Sequence, residues 1–374
     1  MANKGYININ NKKVHRIDYA THWQLMWWKF RKNRMALIAV GVLGIFIILS
    51  LFAELIAPYE CGTRNMNYLS GSPTRVHLLN DKGNFHFQLF IYEMVGKRDP
   101  VTFRVHYVAD KSKQIPLRFF TRGETYKFWG LFESNLHLFG VDGGFVNLFG
   151  TDKLGRDLFS RIMYATRTSL SVGVVGVFFV SIIGLIMGGI AGYLGGVTDE
   201  LISQFMEFIR SIPSLPLWLA LSAALPREWS ALKIYLAVTL ILASVGWTTL
   251  GRRVRSKLIS IREEDFILSA RLAGCSDARI IIYHMLPSFM SYIIVHLTIS
   301  FPQIILAETA LSFLGLGLRE PIVSWGVLLY SAQNIQAIAQ MPWLLITGLF
   351  IVVAVLAFNF MGDGLRDAAD PFAK

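Results

Sequence analysis

Six stretches of this chain are too apolar, and too nearly equal in length, to form the core of a water-soluble domain. They run roughly over 35–57, 168–192, 200–225, 231–250, 288–308 and 342–361. Each is near the ~20 residues a helix needs to cross bilayer hydrocarbon. Composition agrees: 53% of the 374 residues are hydrophobic and only 16% are charged, against about a quarter in soluble domains. The sequence predicts an all-α polytopic membrane protein with six transmembrane helices.

The net charge of +11 raises nucleic acid as a partner, but the basic residues do not gather on one soluble face. Eight of the 36 precede Ala36, and seven lie between Arg252 and Arg279. Both groups flank apolar spans, as the positive-inside rule expects of cytoplasmic loops, so lipid is expected and nucleic acid is not. The leader before the first span is long for a signal peptide and no small-residue cleavage pattern follows it. The span is expected to remain as an anchor. With the N-terminus in the cytoplasm, an even count of spans returns the C-terminus there. The fifteen basic residues of 58–167 then lie outside, which long loops tolerate. Cys61 and Cys275 fall on opposite sides, which excludes a disulfide.

Residues 18–34, DYATHWQLMWWKFRKNR, are expected to form an interfacial helix with Trp23, Trp27 and Phe30 on one face. Indoles favour the headgroup region while the neighbouring basic groups face water and anionic lipid. Gly184, Gly188 and Gly192 form two overlapping small-xxx-small steps, which let helices approach closely. The third span carries Pro213 and Pro216, which break a helix. In a membrane such breaks survive where protein or a water-filled path surrounds them. Glu207 lies just before the break and either faces a cavity or simply pairs with Arg210. Glu207, Pro213 and Pro216 are the candidates for a translocation pathway.

Between the first two spans the pattern changes. NFHFQLFIYEMV (84–95) and PVTFRVHYVAD (100–110) alternate by two and are rich in aromatic and β-branched residues, which predicts strands. The chain therefore divides into a cytoplasmic segment 1–34, a first helix 35–57, a β-rich extracytoplasmic insertion 58–150, and a five-helix core 151–374. The insertion is too short for a large core of its own and is expected to pack on the membrane domain or a partner.

Catalytic chemistry is not indicated. GTDKLGRD (150–157) has Arg156 and Asp157 where a phosphate loop needs Lys and Ser or Thr. The histidines show no zinc spacing; His86 and His106 read as structural residues of strands. No nucleophile elbow is present, and no span gathers several ionisable residues at mid-membrane as proton-coupled carriers do. Energy for uphill transport must come from elsewhere.

One stretch answers to that need. SARLAGCSDARIIIYHMLPS (269–288) lies between two apolar spans yet carries Arg271, Asp277 and Arg279. Residues 263–273 suit a short helix with Phe266, Ser269, Ala270 and Ala273 on one face. Gly274 ends it. Ser276 suits the cap of a second helix, 277–285, and Pro287 the first turn of the next span. Spacing alone fits equally a helix–glycine–helix elbow and a plain amphipathic loop.

The same stretch resembles the cytoplasmic docking loop of binding-protein-dependent ABC importer permeases, with the pattern E-A-A-x3-G-x9-I-x-L-P over about 251–287. Ala270 matches the second Ala, Gly274 the glycine, and Leu286–Pro287 the ending. His284 takes the Ile position, as in the peptide-transporter branch. Leu268 and Ser269 replace Glu and the first Ala, a departure that touches the acidic contact rather than docking. GTDKLGRDLFSRIMYATRTSLSVG (150–173), GYLGG (192–196), SIPSLPL (211–217), ETALSFLGLGL (308–318), SWG (324–326) and GDGLRDAADP (362–371) resemble the same branch, in its subtype with a long outer loop.

The resemblance implies a type I importer permease fold and an inner-membrane, non-enzymatic transport subunit, most similar to the second permease of oligopeptide, dipeptide and nickel importers. It implies a second homologous permease, two cytoplasmic ATPases that carry ATP and Mg, and an extracytoplasmic substrate-binding protein. It implies no cofactor and no metal on this chain. Phe266, Ala270, Arg271, Ala273, Gly274 and Asp277 are then the ATPase-docking residues. A stand-alone carrier or channel should instead show paired intramembrane charges or inverted repeats. A membrane-anchored receptor with an outer sensing domain would not require six spans.

Overall fold

The computed structural model describes residues 21–79, 85–100, 105–226 and 228–369; residues 18–20 of the expected interfacial helix and 101–104 of the second expected strand lie outside them. Helix α1 spans His22–Phe30, opened by a capping box in which Thr21 and Gln24 bond each other's backbone. Its burial differs from the expectation: Met26 and Phe30 turn inward, whereas Trp23 and Trp27 remain about half exposed. Helix α2 (Arg34–Leu51) starts at Asn33, whose Oδ1 accepts from Ala36 N at 3.1 Å.

After a short turn of helix, α3 (Ala53–Ile56), comes a four-stranded antiparallel sheet in the order β1 (His77–Leu79), β2 (Phe85–Arg98), β3 (Val105–Phe128), β4 (Phe132–Val141). Strand β3 serves two partners. Its first part pairs with β2, from Arg98↔Val105 to Phe90↔Pro116. Its second part pairs with β4, from Leu117↔Val141 to Phe128↔Phe132. Ile91, Leu117, Phe139 and Val146 make a small core. The sheet leans on the helices through Phe139 and Phe159, 5.5 Å between ring centres, and through Tyr59, whose hydroxyl accepts from Val146 N at 2.7 Å.

Helix α4 (Leu158–Leu194) begins ten residues before the expected span, because Asp157 Oδ2 caps it by accepting from Ser160 N at 2.7 Å. GTDKLGRD is thus a structural turn. Asp152 accepts from Arg156 (2.7 Å) and Arg161 (2.5 Å), and both arginines also reach Glu320, at 2.8 and 2.7 Å. Hydrogen bonds from Arg156, then from Arg161, pull the Glu320 carboxyl down to about 2. Burial pushes Asp157 the other way, up to about 7.

The expected third span is divided. Helix α5 (Gly196–Ser211) ends before Ile212–Pro213, and α6 (Ser214–Ala223) follows. Then come α7 (Ala231–Ile261), α8 (Asp265–Leu272), α9 (Asp277–Arg279), a π-helical turn Ile280–Met285, α10 (Leu286–Ser288) and α11 (Met290–Phe313). Two short helices, α12 (Trp325–Tyr330) and α13 (Ile335–Gln340), a 3-10 turn Pro342–Leu345 and α14 (Ile346–Ala369) complete the described chain. Among the described residues, five helical segments are individually long and apolar enough to cross a membrane: Arg34–Leu51, Leu158–Leu194, Ala231–Ile261, Met290–Phe313 and Pro342–Ala369. The proline break keeps α5 and α6 from being a sixth.

Glycine sets the central packing. A Cβ on Gly184 would meet Leu250 at 2.9 Å, one on Gly188 the Gly251 carbonyl at 2.4 Å, and one on Gly192 the Arg255 carbonyl at 2.7 Å. The contacts ascend together along both helices, so α4 and α7 are parallel.

A candidate coupling elbow and the helices behind it

Helix α7 runs past the expected end of its span and delivers the chain into α8. There Gly274, at φ +77°, completes a Schellman closure. Cys275 N donates to Ala270 O (3.2 Å) and Gly274 N to Arg271 O (3.0 Å), satisfying carbonyls that the helix end leaves open. Ser276 takes the extended cap conformation of α9, but its side chain makes no capping bond. The expected helix 277–285 is α-helical only to Arg279 and widens into the π turn. Pro287 lies in α10, which Phe289 (φ −128°, ψ 25°) separates from the span proper.

The elbow is fixed to what lies behind it. Ile267, Ala270, Ile280, Met285 and Phe289 are buried in one cluster with Leu250, Val254 and Leu258 of α7. Tyr193, in the last turn of α4, donates its hydroxyl to Asp277 Oδ1 at 2.7 Å. The Arg271 guanidinium stands 5.6 Å from the centre of the same ring. Helix α7 and the last turn of α4 therefore hold one short loop.

The site residues expected from sequence divide between two faces. Phe266, Arg271, Ala273, Gly274 and Asp277 are exposed. Ala270 is not: it is 8% exposed and packs inward. Its face of α8 is shared with Ile267, three residues back, whose large side chain is drawn into the core. The exposed apolar surface comes instead from Phe266, Leu268, Leu272 and, across the glycine, Ile282 and Tyr283; Leu272 is 89% exposed. Ile282 and Tyr283 line an open groove of about 560 Å³ with Ala278, Arg279 and His284. Leu272, Ile282, Tyr283 and Tyr193 were not among the sequence candidates. An apolar residue two positions before Gly274 was the available signal for the first.

Glu207 pairs across helices rather than along its own: its carboxylate lies 3.5 Å from Arg252 of α7, not on Arg210. A second tie between α5 and α7 joins Asp199 to Arg255, whose Nη2 donates to Oδ2 at 2.6 Å. Pro213 stands between α5 and α6 and Pro216 in the first turn of α6; both are exposed. Elsewhere α11 buries two ionisable residues, His296 and Glu308. Each has local partners: Arg253 Nη1 lies 2.9 Å from His296 Nδ1, and Ser312 and Ser324 each donate to Glu308 at 2.7 Å.

Comparison with known proteins bears on both ends of the chain. Residues 181–374 match the family described as binding-protein-dependent transport system inner membrane component. Residues 21–73 match the N-terminal TM domain of oligopeptide transport permease C. The dipeptide transport system permease protein of Alkalihalophilus pseudofirmus is 44% identical over 60% of this chain and 72% of its own. The oligopeptide transport system permease protein of Bacillus subtilis is 31% identical over 60% and 71%. The dipeptide permease of Lactococcus lactis is 29% identical over 94% and 91%, an alignment long enough to take in the outer sheet.

Proposed function

Because the chain belongs to the family of binding-protein-dependent transport system inner membrane components, we propose that it forms half of a peptide pathway driven by separate ATPases. Dipeptides or oligopeptides are the cargo that its named relatives suggest. The observation that carries the reading is the elbow: an exposed apolar loop joined without slack to α7, α11 and the end of α4. A push on such a loop moves the helices behind it, which is how a two-state membrane element is biased by a soluble partner.

The packing supports a reading with six crossings. Parallel α4 and α7 have their C-termini on one face, so residues 195–230 must return the chain to the other. The helices α5 and α6 contain enough residues, at about 1.5 Å each, to cover ~30 Å of hydrocarbon. The broken pair is then the third crossing. Pro213 and Pro216, left exposed by this chain, face the second permease across the pathway. The elbow shares a face with Lys29, Arg31, Lys32 and Arg34, which supports the reading that it and both ends of the chain lie in the cytoplasm of a bacterial inner membrane. The sheet stands on the opposite side, within reach of a binding protein.

Purification and reconstitution test this. The chain should copurify with a second permease and two ATPases, and vesicles holding all four with the binding protein should take up peptide only with ATP inside the ATPase compartment. Uptake by this polypeptide alone would overturn the reading.

A further inference from the structure

The turn joining β3 to β4 is apolar in a way the sheet does not require. Its sequence is Phe128-Trp129-Gly130-Leu131-Phe132. Leu131 is 76% exposed and Phe132 68%, and Trp129 is about half exposed. Water-facing hairpin tips use polar turn residues and glycine; this one presents three large apolar groups and one glycine.

The tip is held at one particular height. Trp129 Nε1 donates to the carbonyl of Leu51, the last residue of α2, at 3.0 Å. Trp129 N donates to Glu54 Oε1 at 3.3 Å. Arg167 of α4 lies 4.3 Å from the centre of the indole ring, pairs with Glu54, and donates to the carbonyls of Ser50 (2.8 Å) and Leu51 (3.3 Å). It thereby caps the C-terminus of α2 with positive charge, where the helix dipole favours a cation. Phe52 and Phe128 meet at 6.2 Å. These contacts keep Trp129 at φ +51°, a conformation that bulky residues seldom adopt.

That height is the membrane boundary. Helix α2 has 18 residues, about 27 Å at 1.5 Å each, and so spans most of the ~30 Å hydrocarbon layer. With Arg34 at one boundary, Leu51 lies at the other, whichever side is the cytoplasm. The exposed apolar face of α2, Ile45, Ile48 and Leu51, runs on without a gap into Phe52 and the hairpin tip. A tryptophan fixed beside a cation at this depth matches the interfacial preference of indole.

We propose that Phe128–Phe132 is a lipid-inserted anchor: the outer sheet rests its β3–β4 turn in the headgroup and upper acyl region of the leaflet at the end of α2. The sheet is thereby held against the membrane at two points, its contacts with α4 and this tip, and its height above the pathway is set by the bilayer.

Nitroxide labelling tests the anchor in the full chain, reconstituted in phosphatidylcholine–phosphatidylglycerol vesicles after both cysteines are replaced by alanine. A label at L131C should collide with oxygen several-fold more than with a water-soluble nickel chelate, like a label at I48C on the lipid face of α2. A label at K113C, an exposed site elsewhere on β3, should show the reverse. Water-like behaviour at 131 would overturn the anchor. So would protection from both probes, which would place a protein surface there instead. A second arm leaves the cysteines in place. W129F should lose part of the tryptophan emission quenched by lipids brominated near the top of the acyl chain, and an unchanged quenched fraction would equally overturn the proposal.

Discussion

Tyr193 and Asp277, 84 positions apart, are joined by a 2.7 Å hydrogen bond that ties the last turn of α4 to the far half of the elbow. With Gly184, Gly188 and Gly192 locking α4 to α7, the bond closes a triangle of α4, α7 and elbow. Hydroxyl removal in Y193F keeps the ring beneath Arg271 and deletes the bond to Asp277. A hydrogen bond to a charged group contributes about 1.5–3 kcal/mol, and less where the acceptor is exposed. Peptide-stimulated ATP hydrolysis in the reconstituted importer should fall by about fivefold, the equivalent of about 1 kcal/mol. ATPase copurification should persist. Wild-type stimulation in Y193F would show that the elbow needs no tie to α4.

Gly274 separates backbone demand from contact. A Cβ there meets nothing within 4 Å, while φ is +77°. Left-handed backbone costs an L residue about 1–2 kcal/mol, with Asn more tolerant. Coupling should therefore decline in the order Gly, Asn, Ala, Val at this position, read as stimulated ATPase activity. Ala outperforming Asn would mean that size against a partner, rather than backbone conformation, governs the site.

Neighbouring glycines of α4 give a packing test. On Gly188 a Cβ would lie 2.4 Å from the Gly251 carbonyl, a backbone atom that has no rotamer to change; on Gly189 the nearest atom is 3.8 Å away. Overpacking costs roughly 1–3 kcal/mol, and alanine in a helix regains up to about 1 kcal/mol over glycine. G188A should lower the midpoint of thermal unfolding in detergent, whereas G189A should leave it level or raise it. Equal midpoints would contradict the close approach of α4 and α7.

The outer knot makes a pH prediction of opposite signs. Glu320 is held down to about 2 by Arg156 and Arg161, from an unfolded value near ~4.3. Its stabilisation is therefore complete above the unfolded value and disappears as pH falls through the folded one. E320Q should be less stable than wild type at pH 7, and the gap should close on acidification from about pH 4.5 toward 2. Asp157 is raised to about 7 by burial, so its ionisation costs stability progressively between the unfolded value of ~3.9 and 7. D157N, which keeps an oxygen for the α4 cap, should gain on wild type as pH rises across that window. Melting curves of the three proteins across pH 2 to 8 check both signs.

Much of this architecture is legible in hydropathy, because apolar runs near 20 residues have few alternatives in a membrane. The elbow is legible too, since Gly274 and the charges around it interrupt an otherwise apolar region. Which face of α8 points inward is not: Phe266 and Ile267 are adjacent and similarly apolar, and only the position of α7 decides that Ile267 and Ala270 are buried. The division of the third expected span follows from Pro213, a local signal, but the parallel packing of α4 and α7 on either side of it is a tertiary relation that no local pattern encodes. Strand β3 serving two partners is likewise a property of the sheet. Tyr193 carries no local signal of its role, because its partner lies 84 residues away.

The ties between α5 and α7 argue for motion transmitted to the pathway rather than confined to the elbow. Asp199 opens the first turn of α5 and receives the Arg255 guanidinium; Glu207, two turns on, faces Arg252. The two pairs differ in environment. The Asp199 and Arg255 side chains are 15% and 29% exposed, those of Glu207 and Arg252 70% and 44%. Exposed pairs contribute about 0–1 kcal/mol, so E207Q should change peptide uptake less than twofold. D199N leaves a half-buried arginine without its carboxylate, and uptake should fall severalfold. If the pair works as a mechanical link, exchanging the partners in D199R/R255D should recover part of the loss, and the double-mutant cycle should show a coupling energy of about 0.5–3 kcal/mol. Additive losses in uptake, with ATPase association intact in all three variants, would mean that α5 does not follow α7 when the elbow moves.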